Sequence, residues 1–107
     1  MKQYDVTIGI PIYNSVSCIR TSLMSALAQS YPSIEFILVD DCCNDGTFDV
    51  IGYIVSSHER RDDIRIISHS QKLGASASRN QIIDEARGEF LYFMDSDDTI
   101  AKNTIEL

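Results

Sequence analysis

The strongest constraint on this chain is the repeated switch of its hydrophobic period, with short strand-type apolar runs alternating with segments whose apolar residues recur at helical spacing. Val6, Ile8 and Ile10 form a first strand ending at Pro11. Asn14 or Ser15 then caps a predicted helix with the stripe Val16, Ile19, Leu23 and Leu27. Tyr31 and Pro32 stop that helix, and residues 34–39 are a nearly unbroken apolar strand, the pattern of burial on both faces. After polar residues 40–46, Phe48, Ile51, Ile54 and Val55 repeat as a second helix, and the charged turn 60–63 precedes a third strand at 64–68. Gly74 opens a third helix running through Ala86, with Gly88 expected as its left-handed cap, and residues 90–94 form a fourth strand. From Thr99 onward, Ile100 and Leu107 suggest the start of another helix.

Strands alternating with helices predict a parallel sheet with right-handed crossovers, an α/β Rossmann-like fold with helices on both faces. A chain of 107 residues, 44% hydrophobic, accommodates one such domain. Ligands of these folds bind outside the carboxyl ends of the strands, which directs attention to the loops at 11–14, 40–46 and 95–98.

Charge and motif spacing remove several functions. The net charge of -7 repels phosphate backbones, so nucleic acid is not an expected partner. The five glycines fit neither the dinucleotide fingerprint nor the P-loop. No apolar run reaches the length of a membrane span, and the acidic start Met1-Lys2-Gln3-Tyr4-Asp5 does not resemble a signal peptide. Three cysteines, with Cys42 and Cys43 adjacent, make neither a disulfide framework nor a zinc pattern and are expected as free thiols. The expectation is a cytoplasmic protein, either free or at the inner face of a membrane.

Six carboxylates, Asp40, Asp41, Asp45, Asp95, Asp97 and Asp98, fall in two loops that the sheet would bring to one edge. Such crowding is costly without a cation, although Asp also suits turns and helix caps. Asp95-Ser96-Asp97 is a D-x-D pattern directly after a buried strand, where carboxylates project from a fixed backbone. Tyr13 could stack on a base or fill the rim of the core. Arg79, near the start of the third helix, could bind phosphate or pair with Asp84 or Glu85. His58 and His69 have no ligand spacing and receive no role. Acidic neighbours make Cys42 and Cys43 poor nucleophiles.

Three blocks in order and spacing resemble the inverting nucleotide-sugar glycosyltransferases of family 2, which have the GT-A fold. They are residues 6–14 with Pro11-Ile12-Tyr13-Asn14, residues 29–47 ending in Asp45-Gly46-Thr47, and residues 74–98 with Ser78-Arg79-Asn80 and Asp95-Ser96-Asp97-Asp98. The resemblance covers nearly the whole chain and implies strand order 3-2-1-4. It also implies that Pro11 and Tyr13 flank the nucleobase, Asp41 accepts from a uracil N–H, Arg79 approaches the diphosphate, and Asp95 lies near the ribose. Ser96 is a further donor contact, and Asp97 binds a divalent metal, Mn²⁺ or Mg²⁺. Cys42-Cys43 departs from the small polar or glycine residues more usual at that point of the family pattern.

The implied reaction transfers a sugar from a nucleotide-sugar, expected as a UDP-sugar, to a saccharide or lipid-linked acceptor. Residues 1–107 would be the donor-binding half of the catalytic domain, cut after its fourth strand. The general base would lie beyond Leu107, and the exposed surface would favour self-association. Two other readings are a non-catalytic nucleotide-binding fragment and a haloacid-dehalogenase-type phosphatase using Asp95 as nucleophile and Asp97 as acid.

Overall fold

The computed structural model describes residues 3–105. In chain order it contains β1 (Tyr4–Ile12), α1 (Ile19–Leu27), β2 (Ile34–Asp40), α2 (Thr47–Ser57), a 3-10 turn (Arg61–Asp63), β3 (Ile64–Ser68), α3 (Ala75–Glu85) and β4 (Gly88–Phe93). Every strand pairing is parallel, and the sheet order is β3-β2-β1-β4. This is the Rossmann-like α/β fold expected from the alternation of periods.

The two-residue period of the strands sorts their side chains into layers. Val6, Ile8, Ile10 and Ile12 of β1 share a face with Ile34, Phe36 and Leu38 of β2. This face packs on Ile19, Leu23, Ala26 and Leu27 of α1 and on Ile51 and Ile54 of α2. On the other face, Ile37 and Val39 meet Ile82 of α3. Gly9 also lies on this face, where an added Cβ would fall 2.4 Å from Ile82 Cγ2, so the Ile82 side chain of α3 rests directly on the β1 backbone. Each large side chain buried in these layers contributes about 1.5–3 kcal/mol relative to exposure.

Three local expectations fail for identifiable reasons. First, α1 starts at Ile19, not near residue 15, because Asn14 takes φ 42° and the Ser15 carbonyl accepts from both Cys18 N and Ile19 N in a turn. Val16 is consequently left exposed instead of joining the stripe. Second, Gly88 is not a left-handed cap. It lies in β4 opposite Tyr4, where a Cβ would sit 2.4 Å from Thr7 N, so glycine is required by close backbone approach. Third, no helix forms over 99–105.

That last segment instead binds the end of α1 through one side chain. Gln29, buried, donates from Nε2 to the Ala101 carbonyl at 2.7 Å and accepts from Ile105 N at 2.9 Å. Ser30 N adds a bond to the Lys102 carbonyl at 2.8 Å. Backbone groups that a helix would have paired are thus satisfied by tertiary partners, and Ile105 is buried in the core. Leu107, counted toward that helix, lies outside the described residues.

Chain direction across the sheet reverses at β1: β2 and β3 lie on one side and β4 on the other. The carboxyl ends of β1 and β4 therefore bracket the crevice where ligands of such sheets bind. Among the described residues, no helix is long and apolar enough to cross a membrane.

Candidate functional site

A cavity of about 570 Å³ opens at that crevice, and Pro11, Tyr13, Asp41, Arg79, Asp95, Ser96 and Asp97 all line it. The structure therefore brings together the seven residues to which the resemblance gives a role, while Asp40, Asp45 and Asp98 of the two acidic loops do not line the cavity. Ser15, Lys72 and Ser78 line it as well.

Pro11 is tolerated inside a central strand because of where β4 stops. The Gly9 carbonyl faces β4 and accepts from Met94 N at 3.0 Å, and Pro11, two residues on, faces the same side beyond the last paired residue, Phe93. No ladder bond is lost. Tyr13 follows on the rim, 41% exposed and outside the core. The ammonium of Lys72 sits 3.9 Å from the ring centroid.

The first acidic loop is mostly consumed by bonds within the chain. Asp40 Oδ1 accepts from Cys43 N at 2.9 Å. Asp45 accepts from the Thr47 hydroxyl and from Thr47 N and Val16 N. Asp41, buried at the end of β2, accepts through Oδ1 from Leu73 N at 2.8 Å and from His69 Nδ1 at 2.9 Å, and through Oδ2 from Gly74 N at 3.0 Å. Burial pushes the Asp41 carboxyl up, but these hydrogen bonds outweigh it and leave the pKa below its usual value. With one of these bonds, Oδ2 retains acceptor capacity, and Asp41 lines the cavity.

His69 and Lys72 have no counterpart in the sequence expectations. Both lie between β3 and α3, in a loop outside the three to which the sequence directs attention. The signal that could have found them is position, since this loop also leaves the carboxyl edge of the sheet. The Asp41 and Gln81 hydrogen bonds hold the His69 pKa above its ordinary value against the opposing effect of burial.

The second acidic loop is different in kind. Asp95, Asp97 and Asp98 are exposed, and one carboxylate oxygen from each lies within 4.8 Å of the others. Arg79 Nη2 approaches Asp95 Oδ1 at 3.6 Å and does not pair with Asp84 or Glu85; Glu85 is held by Arg65 at 2.9 Å. The loop is anchored by Ser96 Oγ against Ser15 Oγ at 2.6 Å and by Ser22 Oγ donating to the Asp95 carbonyl at 3.3 Å. An all-oxygen, triply anionic set open to solvent fits a hard dication that completes its shell with water and phosphate oxygens. Cys43 offers no nucleophile, because burial and then the Asp40 carboxylate push its thiol up to about 12.

The sequence pattern of Glycosyl transferase family 2 matches residues 7–107. The chain is 33% identical to the Escherichia coli UDP-Glc:alpha-D-GlcNAc-diphosphoundecaprenol beta-1,3-glucosyltransferase WfgD, over 100% of this chain and 40% of that protein. It is 30% identical to S. aureus TarS 1-349, solved in complex with UDP, at a TM-score of 0.82 over 94% of this chain and 30% of that one. The mannosyltransferase PcManGT from Pyrobaculum calidifontis, solved with GDP-Man and Mn²⁺, shares the fold at a TM-score of 0.84 and 24% identity, over 94% of this chain and 30% of that one. The chain spans well under half the length of the curated relatives it matches.

Proposed function

From a chain that belongs to glycosyl transferase family 2, we propose the donor-binding part of an inverting, metal-dependent sugar transferase that uses a UDP-sugar. The observation that carries this reading is the convergence of Pro11, Tyr13, Asp41, Arg79, Asp95, Ser96 and Asp97 on one cavity at the reversal point of the sheet. WfgD, whose name states UDP-Glc as donor, and the UDP complex of TarS support uridine as the base. The GlcNAc-diphosphoundecaprenol in WfgD's name supports a lipid-linked or saccharide acceptor.

In this reading, Pro11 and Tyr13 hold the base, and Asp41 Oδ2 accepts from its imide N–H. Arg79 faces the diphosphate across the helix start, where the α3 dipole also favours an anion. Asp95 and Ser96 lie beside the ribose. Asp97, with Asp95 and Asp98 near, would hold a divalent cation, which when bound neutralises charge on the leaving diphosphate. Deprotonating the acceptor hydroxyl requires a base in line with the anomeric carbon, and we assign that group to sequence beyond Leu107. A cytoplasmic location belongs to the same proposal.

Titration of UDP into the chain with Mn²⁺, with Mg²⁺ and with EDTA tests the reading. Saturable binding strengthened by the cations is expected. Equal binding in EDTA would remove the metal from the site, and failure of any nucleoside diphosphate to bind would overturn the assignment of the cavity.

A further inference from the structure

Lys72 covers one face of the Tyr13 ring at the cavity. Its ammonium, 3.9 Å from the ring centroid, has no ion-pair partner among the described residues. The other cation lining the cavity, Arg79, is shared with Asp95, while Asp41, Asp95 and Asp97 supply negative charge there. A dianionic ligand entering this cavity meets one uncommitted cation, and that cation is stacked on the ring.

The backbones on both sides of the contact are fixed. Leu73 N and Gly74 N, immediately after Lys72, are held by the buried Asp41 carboxylate at 2.8 and 3.0 Å. The Tyr13 carbonyl accepts from Ser15 Oγ at 3.0 Å, and Asn14 N donates to Cys43 Sγ at 3.3 Å. Motion at the contact is thus confined to side chains, of which the four-carbon stem of Lys72 has the most freedom.

Resting on the donor-site reading above, we propose that Lys72 is a specificity residue that couples base stacking to the diphosphate: the ammonium leaves the Tyr13 ring as the base takes it, and pairs with the donor's phosphate oxygens. An exposed cation–π contact corresponds to about a two- to five-fold effect on binding. A charge-assisted bond to phosphate is worth about ten-fold or more. The exchange is therefore favourable for a nucleoside diphosphate and a net cost for the same nucleoside without phosphates. Lys72 thus discriminates against nucleosides without touching the base.

The two ligands must respond to its removal in opposite directions. NMR titrations of uridine and of UDP in Mg²⁺ are to be compared for the wild-type chain, Lys72→Met and Lys72→Arg. Lys72→Met is expected to bind uridine about two- to five-fold more tightly and UDP about ten-fold more weakly. Lys72→Arg is expected to keep the wild-type order. The Lys72 Hε resonances of the wild type, shifted upfield over the ring, should return to ordinary values on adding UDP. If Lys72→Met moves both affinities in the same direction or neither, the proposal is overturned while the cavity remains a donor site. If the wild type binds neither UDP nor any other nucleoside diphosphate, the donor-site reading falls and takes this role of Lys72 with it.

Discussion

His69 Nδ1 lies 2.9 Å from Asp41 Oδ1, and both side chains are almost wholly buried although 28 residues separate them. The carboxylate can only accept, so Nδ1 carries a proton; Nε2 faces Gln81 Oε1, a second acceptor. The pair joins the end of β2 to the loop before α3, and so fixes the wall of the cavity on which Lys72 sits.

Stability should depend on pH through this pair. The His69 pKa is raised in the fold, so its contribution is fully present below the ordinary value of 6.5 and is lost as pH rises through the raised folded value. The Asp41 pKa is lowered, so its contribution is present above the ordinary 3.8 and is lost as pH falls through the lowered folded value. Denaturant melts at a series of pH values should show wild-type stability declining above 6.5. A His69→Ala variant should lack that decline. Asp41→Ala, which leaves His69, Leu73 N and Gly74 N without an acceptor, should cost about 2–3 kcal/mol near neutrality.

Removing one ligand charge should separate the two halves of the donor. Asp97→Asn is expected to abolish the strengthening of UDP binding by Mn²⁺ while leaving binding in EDTA unchanged. Asp41→Asn is expected to weaken uridine nucleotides more than guanosine nucleotides, because Oδ2 is the group offered to an imide N–H. Calorimetry on both variants reads the two effects; an intact metal response in Asp97→Asn would return that loop to a turn-and-cap role.

Cys42 adopts φ 60°, a left-handed conformation that costs a side chain bearing Cβ about 1 kcal/mol. The same conformation explains why glycine or a small polar residue is more usual at that point of the family pattern; nothing in the structure explains the cysteine. Its sulfur makes only a long contact to the Ser70 carbonyl at 3.8 Å. Relief of that strain, about 1 kcal/mol, is offset by the ~0.4–1 kcal/mol that glycine costs through the unfolded chain, so Cys42→Gly should leave stability within about 0.5 kcal/mol of the wild type. Thermal melts of the two chains provide the check.

Phe90, Leu91 and Phe93 of the edge strand β4 are all exposed. An open parallel edge beside an apolar face favours association, so the chain alone should sediment as a concentration-dependent mixture. It should also show no sustained sugar transfer when release of UDP is assayed with acceptor present. Turnover at ordinary enzymatic rates would place the general base within these 107 residues.

The architecture was legible because both of its signals are local. The all-buried β2 shows as an apolar run interrupted only by Glu35 before Asp40, and the third strand falls at the expected residues. The aspartates and Arg79 were legible as residues at strand and helix ends. Their partners were not: Arg79 reaches Asp95 across the crevice, whereas the sequence offered only the neighbours Asp84 and Glu85. The crowded carboxylates divided in a way composition could not show, since backbone amides take up Asp40, Asp41 and Asp45 while Asp95, Asp97 and Asp98 face solvent together. Gln29 illustrates the general difficulty. Its amide substitutes for a helix over 99–105, and only tertiary structure brings it to Ala101 and Ile105.

The contact of Ile82 with Gly9 makes the thickness of the α/β layer a determinant of the site's width. Arg79 stands one turn before Ile82 on α3, and the helix can sit no closer to the sheet than that glycine permits. A single methyl at residue 9 would lift the helix as a body, because close-packed interiors pass strain along and do not absorb it locally. The guanidinium would then move away from the acidic loop with every lining residue unchanged. On the donor-site reading proposed above, affinity would be exposed to drift from beneath the sheet, at a position that no inspection of the cavity wall would select.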